Sequence, residues 1–115
     1  MKDSNKKKRG KEYNKLVRDK IPGIIEKNGA KPIIRIVDED EYVYSLKKKI
    51  LEEAGELNEA EGEGQELEEI IDIMEAVNAY MKHRKVSADL AEKVRKHKLR
   101  KRGGFDKRIF LERVE

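Results

Sequence analysis

Two long stretches of helical periodicity are separated only by the glycine-broken string "EGEG" at 61–64, and this arrangement constrains the fold most. In the first stretch, Tyr42, Val43, Leu46, Ile50, Ala54 and Leu57 recur at the i, i+3, i+4 spacing of one helix face. In the second, Leu67, Ile70, Met74, Val77 and Met81 form an apolar stripe that Ile73, Ala76 and Tyr80 extend. Helices joined by so short a loop must lie antiparallel and side by side. The first is predicted to start after Asp38, an N-cap residue with Glu41 three positions on. The second is predicted from about Gln65 to His83.

Each stripe carries an acid where packing calls for an apolar side chain. Glu53 sits between Ile50 and Leu57 on the inward face, and Glu69 projects between Ala76 and Tyr80. Asp72 lies at the edge of the second stripe. In an antiparallel hairpin Glu53 is level with Asp72, and Glu56 with Glu69, because both pairs are equidistant from a midpoint between Gly62 and Glu63. Each helix thus offers an i, i+3 pair with Cβ atoms about 5–6 Å apart. Helix axes about 8–10 Å apart leave room for the four carboxylates to converge.

Ionised carboxylates gathered in a partly apolar setting repel one another, and a divalent cation removes that repulsion. Four hard oxygen donors without His or Cys select Mg²⁺, or Mn²⁺, and argue against zinc and copper. The candidate metal ligands and catalytic residues are therefore Glu53, Glu56, Glu69 and Asp72. An EExxE string alone says nothing in a chain this rich in Glu; the inward positions and matched levels carry the reading. Glu52 points about 100° away from Glu53 and is expected at the surface or behind the ligands.

The rest of the chain fits one domain at 13–115, preceded by a loose basic arm at 1–12. That arm is either a solubilising tail or a phosphate- or nucleic-acid-contacting element. Ile21, Ile24 and Ile25 predict a short helix, with Pro22 in its first turn and Asn28-Gly29 at its end. Ser87 caps a third long helix stopped by Gly103-Gly104. The β-branched run at 33–37 predicts a strand, and the C-terminal segment at 107–113 is its expected partner. The fold class is mainly α: an antiparallel helical hairpin in a helix bundle, with a small β element.

Charged residues make up 45% of the chain against 37% hydrophobic, with a net charge of +4. There is no cysteine, which excludes disulfides, thiolate zinc sites and a Cys nucleophile. No apolar run approaches the roughly 18–20 residues of a bilayer span, and no signal-peptide core follows the basic start. A cytoplasmic protein is the expectation.

At the acidic residues the sequence resembles a known family. Glu52-Glu53-Ala54-Gly55-Glu56, followed by Glu69-Ile70-Ile71-Asp72, is similar to the EExxE…ExxD signature of the MazG-like all-α nucleoside triphosphate (NTP) pyrophosphohydrolase superfamily. That superfamily includes MazG, dimeric dUTPases and phosphoribosyl-ATP pyrophosphohydrolase. The opening "YNKLVRDKIPGII" and the later "RGGF" look like a predicted house-cleaning branch, and together the marks cover about residues 13–111. The resemblance implies Mg²⁺-dependent cleavage of an NTP between the α and β phosphates, giving NMP and pyrophosphate. By motif position it implies Glu53, Glu56, Glu69 and Asp72 as metal ligands, the four that helix geometry selects. The short loop between the motifs places the chain nearer MazG than the dUTPases and argues against pyrimidine deoxynucleotide specificity.

Seven basic residues and no acid fall between Lys93 and Arg102. A nucleic-acid-binding or regulatory helical module is the alternative reading, but no helix-turn-helix spacing, zinc finger or stacking platform accompanies them. A second use is to hold a substrate triphosphate. Arg18 and Lys20 of the family-like motif are first choices, with Lys15 beside them; Lys101 and Arg102 come second. The second long helix is apolar over more than half its girth, too much for one neighbour. Members of the resembled family are dimers or tetramers, so at least a homodimer is expected.

Overall fold

The computed structural model describes residues 11–115; the expected arm at 1–12 lies outside them but for its last two positions. Four helices are formed among the described residues: α1 (Ile21–Lys27), α2 (Glu39–Glu59), α3 (Glu63–His83) and α4 (Ala88–Arg102). The architecture is mainly helical. The chain divides into two compact units, one up to Tyr80 and one from Met81 to Glu115, with the boundary in the last turn of α3. No helix among the described residues is long and apolar enough to cross a membrane.

Local chemistry sets the helix boundaries. Pro22 stands in the first turn of α1, where a missing N–H costs nothing, and Asn28 closes that helix. The Asp38 side chain accepts the Glu41 backbone N–H at 2.9 Å, and Glu39, Asp40 and Glu41 line the positive end of the α2 dipole. Between α2 and α3 the chain turns through Gly62 at φ +89°, a left-handed conformation that a Cβ disfavours. The Gln65 side chain accepts the Glu61 N–H at 3.2 Å across the turn. α3 therefore starts at Glu63, slightly earlier than the periodicity suggests, and takes Gly64 into its first turn. In the second unit the Ser87 hydroxyl accepts the Leu90 N–H at 3.0 Å, and α4 stops at Gly103.

α2 and α3 form the predicted antiparallel hairpin. The Lys47 ammonium lies 5.9 Å from the centre of the Tyr80 ring at one end, and Glu53 meets Asp72 nearer the loop. Leu46 on α2 and Ala76 on α3 are the buried apolar side chains of the described chain, at 3% and 7% exposure. α3 turns the side bearing Glu69, Ile73, Ala76 and Tyr80 inward, since all four are buried or half-buried. The first part of its predicted stripe faces out instead, with Leu67, Ile70 and Met74 exposed beside Ile71, while Val77 and Met81 are half-buried.

The expected β element is not formed. Neither 33–37 nor 107–113 is a strand, and no strand occurs among the described residues. Ile33, Ile34 and Ile36 are exposed, as are Ile109, Phe110 and Leu111. β-branched residues favour a pleated, half-buried surface, but without a partner backbone that preference has nothing to act on. Arg35 is tied instead to the first turn of α2, donating to Glu41 at 2.8 Å. At the C-terminus three consecutive apolar residues replace the alternation that a one-sided strand requires.

Candidate metal centre

Glu53, Glu69 and Asp72 meet between the two helices of the hairpin, and Glu56, beside Glu53 on α2, is exposed. Glu53 belongs to two overlapping groups: Glu52, Glu53 and Glu56 along α2, and Glu53, Glu69 and Asp72 across the two helices. Within each group, one carboxylate oxygen per residue lies within 4.8 Å of the others. Their convergence follows from the helix geometry. An i, i+3 spacing stacks Glu53 with Glu56 and Glu69 with Asp72, and the Gly62 turn sets the opposing heights.

Glu53 is 6% exposed, more buried than Ile50 or Leu57 on the same helix. Its Oε2 and the Oε2 of Glu69 are buried with no hydrogen-bond partner. A buried acceptor left unsatisfied costs about 1–3 kcal/mol, and more when charged. Burial, followed by the carboxyl groups of Glu56 and Glu69, pushes the Glu53 pKa up to about 7. Glu69 is raised as well, with desolvation the leading cause. The protein has concentrated acid at one point and left two oxygens unpartnered there. An oxygen-seeking cation would satisfy both.

Cations surround this centre. Arg18 donates from Nη2 to Asp72 Oδ1 at 2.6 Å, and Lys15 donates from Nζ to Glu52 Oε1 at 3.1 Å. Lys49 stands 3.5 Å from Glu52 Oε1 and 3.7 Å from Glu53 Oε1. Burial opposes ionisation of Glu52, but the Lys15 hydrogen bond and the Lys49 charge outweigh it and hold its pKa below the usual range. The Lys15 ammonium is raised in turn, chiefly by that hydrogen bond.

Of the predicted site residues, Glu53, Glu56, Glu69 and Asp72 are brought together, with Lys15 and Arg18 against them. Lys20 is exposed at the N-cap of α1. Lys101 and Arg102 are exposed in the last turn of α4, within the second unit. Glu52 comes closer than its helical direction suggests, because a long side chain drawn by two lysines can swing back toward Glu53. Lys49 was not among the predicted residues. Its i, i+3 and i, i+4 spacings to Glu52 and Glu53 are the signal that identifies it.

No family model matches the chain, and no solved structure matches it. An uncharacterized protein of Mycolicibacterium smegmatis (strain ATCC 700084 / mc(2)155) is 46% identical over 46 residues. The match covers 40% of this chain and 47% of that protein, so it spans about half the length of the relative.

Proposed function

We propose that the carboxylate quartet holds Mg²⁺, with Mn²⁺ as a substitute, and that the chain is an NTP pyrophosphohydrolase. In this reading it cleaves between the α and β phosphates to NMP and pyrophosphate, in house-cleaning of noncanonical nucleotides. The observation that carries the reading is the buried, unpartnered oxygen pair of Glu53 and Glu69 between two helices of opposite direction. The donor set is all carboxylate, which fits a hard cation.

Glu53, Glu56, Glu69 and Asp72 would hold the metal, which neutralises phosphate charge and makes bound water more acidic. The chain's own residues do the rest. Within the unit that carries the quartet, Arg18 and Lys20 are first choices for the triphosphate oxygens, with Lys15 beside them. A carboxylate not engaged by metal, one of the quartet or Glu52, takes the proton of the attacking water.

The working molecule is at least a homodimer in this reading. The exposed stripe of Leu67, Ile70, Ile71 and Met74 supports it, since a large open apolar face on one helix calls for a partner.

Pyrophosphate release from a panel of standard and damaged NTPs, with Mg²⁺ and with chelator, tests the function. Glu53→Gln and Asp72→Asn are each expected to lose at least the roughly 10- to 100-fold seen when only a ligand's supporting partner is removed. Release at the parental rate from either variant contradicts the assignment.

A further inference from the structure

Two of the cations at the acidic centre come from the segment before α1. Arg18 pairs with Asp72 on α3 and Lys15 with Glu52 on α2, so one short stretch of chain bridges both helices of the hairpin. Residues 11–20 form no helix or strand. The side chains of Lys15 and Arg18 are 40% and 53% exposed. Both cations are thus placed to leave. The same Lys15 ammonium lies 6.0 Å from the centre of the Tyr13 ring. Lys49 differs, being fixed on α2 and only 22% exposed beside Glu52 and Glu53.

Asp72 belongs to the group with Glu53 and Glu69 that lies close enough to chelate one ion. Arg18 and a divalent cation therefore compete for one carboxylate, and a guanidinium cannot yield by losing its proton. We propose that Arg18 and Lys15 are exchangeable counter-cations of the cluster. They neutralise Asp72 and Glu52 in the absence of a divalent ion and transfer to phosphate oxygens when a metal–polyphosphate complex arrives. This rests on the metal-binding reading of the quartet and adds to it an order of events.

Bare metal must displace Arg18 from Asp72 and leaves the guanidinium no new anion. A metal-loaded polyphosphate displaces it and supplies a bidentate acceptor at once. Metal and polyphosphate therefore raise each other's affinity by the same factor. The centre discriminates against the free cation and admits the loaded substrate. Arg18 is the residue that couples the two.

The test measures Mn²⁺ binding by electron paramagnetic resonance, then inorganic tripolyphosphate binding by calorimetry at saturating Mn²⁺. The parent is compared with Arg18→Gln, Arg18→Lys and the exposed-surface control Lys31→Gln, each checked for helix content. Arg18→Gln is expected to bind bare Mn²⁺ about two- to five-fold tighter, the release of an exposed ion pair. The same variant is expected to bind tripolyphosphate roughly 10-fold or more weaker, the loss of a charge-assisted contact. Arg18→Lys is expected to recover part of both effects, and Lys31→Gln to leave Mn²⁺ affinity at the parental value. Bare Mn²⁺ binding that is unchanged or weaker in Arg18→Gln overturns the exchange while leaving the quartet as a metal site. Equal tightening in Lys31→Gln overturns it too, by showing a general charge effect. A folded parent that binds no Mn²⁺ at millimolar concentration overturns both the exchange and the metal site beneath it.

Discussion

Glu53 combines a position that burial dictates with a charge that burial opposes, and its pH behaviour follows from that conflict. Its folded pKa of about 7 lies above the ordinary carboxyl value. The stability linked to this shift is fully present below about 4.5, the unfolded value, and is lost as pH rises through the folded value. Glu69 shifts in the same direction. Glu52 is shifted oppositely, so its contribution is lost only at more acidic pH. In chelator, melting temperature is therefore expected to fall between pH 5 and pH 7.5, as unfolding free energy drops by up to about 1.4 kcal/mol per pH unit for one proton. Saturating Mg²⁺ is expected to shrink or reverse the fall, and Glu53→Gln to flatten it in chelator. A melting temperature that rises over this range, equally in parent and variant, contradicts the electrostatic description of Glu53.

Much of this centre was legible residue by residue. Glu53 and Glu69 stood out because helical periodicity placed acids on faces that otherwise read as core. Glu56 and Asp72 followed from the i, i+3 spacing and the hairpin midpoint. Lys49 and the inward swing of Glu52 were not legible in the same way, because long flexible side chains reach where their Cβ does not point. The pairing of Arg18 with Asp72 joins residues 54 apart in sequence, which no local pattern encodes.

At the scale of elements, capping and turn chemistry determined the boundaries. Asp38 and Ser87 cap their helices as their positions suggest, and Gly62 makes the turn that sets the register of the hairpin. Open space surrounds the position of a Cβ at Gly62, so a substitution there would be resisted by backbone strain alone. Gly62→Ala is expected to destabilise the chain by about 1 kcal/mol, measured by urea unfolding, because φ +89° is unfavourable for an L side chain. An unchanged midpoint would mean that the turn relaxes and that other contacts set the register. The missing β element has the opposite origin. The runs at 33–37 and 107–113 have suitable composition, but strand formation depends on a partner that composition does not supply.

At the scale of the whole molecule, the described chain hides few apolar side chains, and Leu67, Ile70, Ile71 and Met74 follow one another along an exposed helix face. The amount of apolar surface on α3 was legible from its periodicity; which side meets α2 was not. The acid-bearing side faces α2 and leaves the first part of the stripe open. Analytical ultracentrifugation at micromolar concentration is expected to show a dimer or larger species, with Ile70→Glu or Met74→Glu shifting it toward monomer. A parental monomer would contradict self-association through this stripe.

Anomalous diffraction from crystals grown with Mn²⁺ tests whether Glu53, Glu56, Glu69 and Asp72 jointly bind one hard cation, as proposed. The expected result is an anomalous peak between α2 and α3 within coordination distance of carboxylates from both helices. A peak bound by surface acids elsewhere, or none between the helices at saturating Mn²⁺, would contradict it.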